Sequence, residues 1–196
     1  MLQCQRHRHW LIRGPNRKTL YQFQETRSQE FRFSSVDDSM IEWSAGLYYG
    51  DTEIEGSTNR GFIIPLPPEF GGGFSPVTTT TDYILDEQNY ALFGQLSYNS
   101  SQDIGLHLGL RADQYDKGLY RNAFGLSGPV PTIDLTTDYS FVSPRAGIDF
   151  ELSDSSLVYI NTGTAYKPGG YSAFVDNPNI AEFKEEKSWS KEVGIK

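Results

Sequence analysis

The sequence predicts an all-β chain, an antiparallel transmembrane β-barrel meander of about seven strands. Three observations predict it: segments that alternate apolar and polar residues, connections that alternate strictly between short and long, and aromatic residues gathered near segment ends. Composition agrees, since 14% of the 196 residues are aromatic and 19 are Gly, which favours strands and tight turns over helices. No stretch approaches the run of about 18 apolar residues that a membrane helix needs, so a helical membrane protein is excluded. Lys and Arg number 17 against 25 Asp and Glu, a net charge of -8 that would repel phosphates and argues against a nucleic-acid partner. Cys4 stands alone, without a partner for a disulfide or a CxxC knuckle. The basic start of the chain lacks the apolar core of a secretory signal.

Each strand follows from its own alternation. In SQEFRFSS, Gln29, Phe31 and Phe33 take one face and Ser28, Glu30, Arg32 and Ser34 the other. After SVDDS, Ile41, Trp43, Ala45, Leu47 and Tyr49 alternate with Glu42, Ser44, Gly46, Tyr48 and Gly50, so the two segments form a hairpin. A second hairpin joins NYALFGQLSY, with Tyr90, Leu92, Leu96 and Tyr98 on one face, to IGLHLGLRAD, where Ile104, Leu106, Leu108 and Leu110 oppose Gly105, His107, Gly109 and Arg111. In the third, FVSPRAGIDFE sets Val142, Ala146, Ile148 and Phe150 against Ser143, Arg145, Gly147, Asp149 and Glu151, and turns through LSDSS into LVYINTGTAY. A seventh segment, KSWSKEVGIK, alternates Trp189, Lys191, Val193 and Ile195 with Ser190, Glu192, Gly194 and Lys196, and is expected to be a strand cut short.

The turns at 35–39, 99–103 and 152–156 are rich in Ser, Asp and Asn, while the connections at 51–87, 113–139 and 167–187 read as long loops. Outer-membrane barrels show this asymmetry, with short periplasmic turns and long extracellular loops, whereas a soluble sandwich has no reason to sort its loops. Segments of about 9 to 11 residues also match what a tilted strand needs to cross the hydrocarbon layer. Phe33, Trp43, Tyr98, Phe150 and Tyr159 lie near the short turns, and Tyr49, Tyr90, Phe141, Tyr166 and Trp189 near the long connections, as two interfacial girdles require. In YKPGGY, Lys167, Pro168, Gly169 and Gly170 leave a strand through a turn in which Pro fixes φ and the glycines are expected to accept positive φ. Pro144 removes a ladder donor and is expected at a bulge.

Six phrases in order resemble the C-terminal barrel of TonB-dependent receptors: SQEFRFSS, IEWSAGLYYG, YALFGQLSY with GLHLGLRAD, FVSPRAGIDF, LVYINTGTAYKPGGYSAF and FKEEKSWSKEVGIK. The resemblance runs from about Thr26 onward. It divides the chain into an unassigned segment, 1–25, and a partial barrel, 26–196. It implies energised uptake of an iron–siderophore complex or similar scarce solute across the outer membrane of a Gram-negative bacterium. Its implied partners are outer-membrane lipid and the TonB system, reached through a plug domain that has no match in this sequence. No cofactor is implied. A complete receptor of this kind has a barrel of 22 strands around its plug, so about seven strands are expected neither to close it nor to transport by themselves. A passive outer-membrane porin or binding barrel without TonB coupling is the alternative.

Little in the sequence suggests other chemistry. His107, Arg111 and Arg145 point inward and are the candidates for contact with a solute in the lumen. His7 and His9 with Cys4 lack a second ligand cluster at zinc spacing. Gly71–Ser75 is glycine-rich, but no Lys-Ser or Lys-Thr pair follows and no βα unit surrounds it, so it is not a phosphate loop. Adjacent carboxylates such as Asp37 and Asp38, or Glu185 and Glu186, point to opposite faces of a strand and cannot share a substrate. No nucleophile and base are arranged for an enzyme.

Overall fold

The structure, a computed structural model, describes all residues except 1–2, 13–17, 37–39 and 101–102, and for 3–12 only the backbone. Its strands are β1 (Gln3–Ile12), β2 (Lys18–Ser34), β3 (Ile41–Pro65), β4 (Phe74–Asn99), β5 (Ile104–Gly125), β6 (Gly128–Ser153), β7 (Ser156–Lys167), β8 (Gly170–Tyr171), β9 (Glu182–Phe183) and β10 (Glu186–Ile195). Eight of them form one antiparallel sheet in the order β1-β2-β3-β4-β5-β6-β7-β10, and β8 pairs with β9 separately. The seven strands read from the alternation are all present, and β1 adds an eighth within the segment that the sequence leaves unassigned.

Register turns the alternation into two faces. Ile41, Tyr98, Leu106, Ile148, Ile160 and Val193 lie side by side across six strands, and the next row joins Trp43, Leu96, Leu108, Ala146 and Thr162. Further along come Phe31, Leu47, Leu92, Ala112 and Val142, and then Gln29, Tyr49, Tyr90, Gln114 and Ser140. The large apolar members of these rows are exposed, with Leu108 at 57% and Leu92 at 59%, and Tyr49 meets Tyr90 at 5.1 Å between ring centroids. From Ile41 to Tyr49 the band rises about 27 Å along the strand. At a barrel strand's tilt of about 35–45° that is about 19–22 Å of height, close to the apolar belt of about 25 Å on a membrane barrel. Lys191, in the row of Thr162, interrupts the band on β10, the last strand of the sheet.

The long connections correct the sequence reading, because two of them are strands. β3 and β4 run on together far beyond Tyr49 and Tyr90 and reverse only between Pro65 and Phe74. β5 and β6 likewise continue to a turn between Gly125 and Gly128, with a single register shift between Arg121 and Ala123. In these arms the faces exchange character. The face continuous with the apolar band now carries Asp51, Gln88, Asp116 and Asp138 in one row and Glu25, Glu53 and Asp86 in the next. Ile54, Leu85, Leu119 and Leu135 stand together on the opposite face. An alternation that changes phase midway has no coherent period of two, which is why it reads as loop.

Smaller corrections follow from the same register. Phe141 and Tyr159 point to the polar face and are not girdle residues: Phe141 shares a row with Asp113, and the Tyr159 hydroxyl donates to Glu192 Oε1 at 2.7 Å. Pro144 sits at no bulge. It pairs with Leu110 of β5 in unbroken register, and the β6–β7 ladder ends at its neighbour Arg145, which leaves the missing donor without a partner to fail. The third short turn is only Asp154 and Ser155, with a register irregularity between Glu151 and Ser153. Asp37 and Asp38 fall outside the described residues, as do the side chains of Cys4, His7 and His9.

Candidate functional site

On the polar face, within the depth of the apolar band, charged side chains are tied to neighbours across the strands. His107 shares a row with Ser97 and Gly147, and its ring bridges Ser97 Oγ, 3.0 Å from Nδ1, and the Asp149 carboxylate at Nε2. Asp149 reaches it by leaning over Gly105, where a side chain would collide with the carboxylate. A serine, a histidine and a carboxylate in a chain suggest a hydrolase. Ser97, however, lies in the middle of paired strands, where the backbone N–H groups are engaged in the ladders and unavailable to an oxyanion. The three side chains pin β4, β5 and β6 to one another.

Arg145 lies over Gly109 and donates to Gln95 Oε1 at 2.6 Å. Arg111 chelates Asp113, with Nε 2.9 Å from Oδ2 and Nη2 2.8 Å from Oδ1, and its guanidinium stands 5.7 Å from the ring centres of both Tyr48 and Phe93. Arg32 also approaches the Phe93 ring, 5.4 Å from its centre, and pairs with Glu30 at 2.9 Å. A hollow of about 330 Å³ opens among Arg32, Phe93, Arg111 and Arg145, and one of about 380 Å³ among Gln95, His107, Arg145 and Asn161. His107, Arg111 and Arg145 therefore line one continuous strip, joined by the residues that the two hollows share.

Lys167, Pro168, Gly169 and Gly170 belong elsewhere, at the start of a strap that runs from Pro168 to Glu185 and folds back over the polar face of the arms. Lys167 Nζ and Glu186 Oε1, 3.5 Å apart, close its neck. Neither Gly169 nor Gly170 has positive φ, contrary to the turn expected there. Gly169 is required instead by close approach, since a side chain at that position would strike the Tyr139 hydroxyl and the Phe183 carbonyl. Beyond it Ala173 packs with Leu119, Tyr83 and Ile133, and Leu119 is only 1% exposed. Phe174 meets Tyr83 edge to face at 5.5 Å, and Tyr139 donates to Glu182 Oε1 at 3.1 Å. Burial pushes the Tyr83 phenol above its ordinary value, and burial followed by the Glu182 carboxylate does the same to Tyr171.

The most enclosed cation under the strap is Arg121, whose side chain is 2% exposed. Its Nε donates to the Ala173 carbonyl at 2.9 Å, its Nη2 pairs with the Asp176 carboxylate, and its Nη1 has no protein partner. Lys117, its side chain 14% exposed, lies 2.6 Å from Glu87. Sequence reasoning missed Arg121, Asp176 and Glu182 because the stretch around them reads as loop. The run Tyr115, Lys117, Leu119, Arg121, every second residue on one face, was the available signal.

A family model, TonB dependent receptor-like, beta-barrel, matches residues 5–196. The chain belongs to that family of receptor barrels of the Gram-negative outer membrane. Among solved structures it is similar to the ferric yersiniabactin uptake receptor FyuA from Yersinia pestis, with a TM-score of 0.80 at 18% identity, over 97% of this chain and 28% of that one. The siderophore receptor PiuA from Acinetobacter baumannii is similar with a TM-score of 0.60 at 14% identity, over 92% and 30%. The ferric-catecholate import receptor Fiu from K12 E. coli follows at 0.56 and 17%, over 91% and 29%. The chain thus spans less than a third of the length of these receptors.

Proposed function

We propose that this sheet is part of the membrane wall and outer mouth of a receptor that takes up a scarce solute, an iron–siderophore complex or one like it, across the outer membrane with energy delivered by TonB. The observation that carries the reading is the pair of faces held in register: an apolar band of membrane height backed by a polar face rich in paired charges. Family membership agrees with it. In this reading the polar face at band depth meets the interior and the plug, His107, Arg111 and Arg145 line the passage, and the hairpin tips and strap stand outside the cell. No covalent chemistry is required.

Iron uptake tests the proposal. Cells producing the receptor that contains this sheet are given radiolabelled ferric citrate, a ferric tricatecholate or a ferric trihydroxamate, with and without TonB. Accumulation of at least one complex that vanishes without TonB is the expected result, and uptake that persists without TonB identifies a passive barrel. Orientation is checked separately: in intact cells an epitope beside Gly72 should be labelled by antibody and one at Asp154 should not.

A further inference from the structure

The strap covers the polar face where a solute arriving from outside would first meet the barrel, and one ion pair stands out in that cover. Arg121 is enclosed, while its partner Asp176, on the strap, is 71% exposed. An arginine withdrawn from water needs a counter-charge, because burying the charge unpaired is costly. Asp176 and the Ala173 carbonyl supply it from the strap itself, so the sheet holds the strap by the same group that the strap keeps from solvent. The guanidinium presents five donors in a plane, of which Nε and Nη2 meet the strap and Nη1 has no protein partner. An anionic ligand with two oxygens can engage two of these donors at once.

We propose that the strap is a latch in which Asp176 occupies Arg121 until an anionic oxygen of the solute, a carboxylate or catecholate, takes its place and frees the strap to lift. Asp176 is then a built-in competitor, and Arg121 the residue that reads the charge of the incoming complex. The inference rests on the uptake function proposed above and adds the chemical class of the group recognised at the mouth.

The experiment uses the same cells and the same three iron complexes, in a receptor whose native cysteines, Cys4 among them, are replaced by Ser. Leu119→Cys with Ala173→Cys, joined by a short thiol cross-linker that is cleavable by reductant, ties the strap to the sheet. Uptake should fall at least tenfold when the link is made and return when it is cut. Asp176→Asn should lower the half-saturating concentration of ferric citrate or the ferric tricatecholate several-fold and leave that of the uncharged trihydroxamate complex unchanged. Arg121→Gln should raise it for the anionic complexes by roughly tenfold, the loss of one charge-assisted contact. Heat-modifiable migration on gels confirms that each variant is a folded barrel. Undiminished import by the linked receptor overturns the proposal, as does an Asp176→Asn variant that matches Arg121→Gln or is unchanged, or a receptor that imports only the uncharged complex. Absence of uptake by the unlinked receptor counts against the transport reading itself and is distinguishable from these outcomes.

Discussion

The two halves of the long strands obey opposite rules although the hydrogen-bond ladder passes between them without a break. Between the row of Ile41 and that of Tyr49 the exposed face is apolar and the other face holds His107, Arg111 and Arg145. In the arms the first face bears Asp51, Glu53, Asp86, Asp116 and Asp138, and the second buries Leu119 and Tyr83 beneath the strap. The backbone does not change; what each face meets does. In the membrane wall proposed above, hydrocarbon on one side makes outward apolar residues favourable, whereas in water the sheet must bury its apolar side chains against a cover of its own. A strand's polarity pattern therefore reports its surroundings and not the strand, and it reverses where the surroundings reverse.

The largest test of this contrast places a charge on the same face in both halves. Leu108→Arg or Leu47→Arg, in mid-band, should destabilise the folded receptor barrel by about 2 to 4 kcal/mol. Gln88→Arg, on the same face of an arm, should stay within about 0.5 kcal/mol of the parent. Urea unfolding in detergent or lipid measures both, and equal losses would remove the assignment of faces.

A second test works on the opposite face. Leu119→Ala should loosen the strap cluster by about 2 to 3 kcal/mol, toward the lower end for a buried leucine because the cover can settle into the space. Gly169→Ala should also displace the strap, through its collision with Tyr139 and Phe183. Hydrogen exchange should rise in residues 168–185 for either variant and remain low in the band. Faster exchange throughout the sheet would show that the strap and the band are one cooperative unit.

The smallest effect concerns the carboxylates facing each other above the outer tyrosines. Glu53 and Asp86 are cross-strand partners, and both are held above their ordinary pKa, first by burial and then by neighbouring carboxylates, Asp86 for Glu53 and Asp51 for Asp86. A raised folded pKa means that the proton binds the folded arm more tightly. The penalty is present at neutral pH and relieved as pH falls through the raised values, so the arm gains stability on mild acidification. Glu53→Gln with Asp86→Asn should stabilise the arm by a few tenths of a kcal/mol at pH 7 and flatten the pH dependence of its hydrogen exchange. An unchanged slope would show that other carboxylates set it.

By itself the sequence determined the strands in the band, their facing and the short turns, because a boundary between hydrocarbon and water imposes one pattern on every strand that crosses it. Phrases such as GLHLGLRAD and FVSPRAGIDF carried that pattern and the family with it. It also placed His107, Arg111 and Arg145 on one face, though not their partners Asp149, Asp113 and Gln95, since pairing across strands depends on register. The tertiary structure alone decided that the stretches around Glu53 and Leu119 are strands, that Gly169 is small for contact and not for φ, and that Arg121 is enclosed. The last two depend on the strap, whose Ala173 and Asp176 lie 52 and 55 residues from Arg121 in sequence. Local residues cannot reveal which surface a distant segment will bury, and it is that burial which sets the side-chain pattern of the arms.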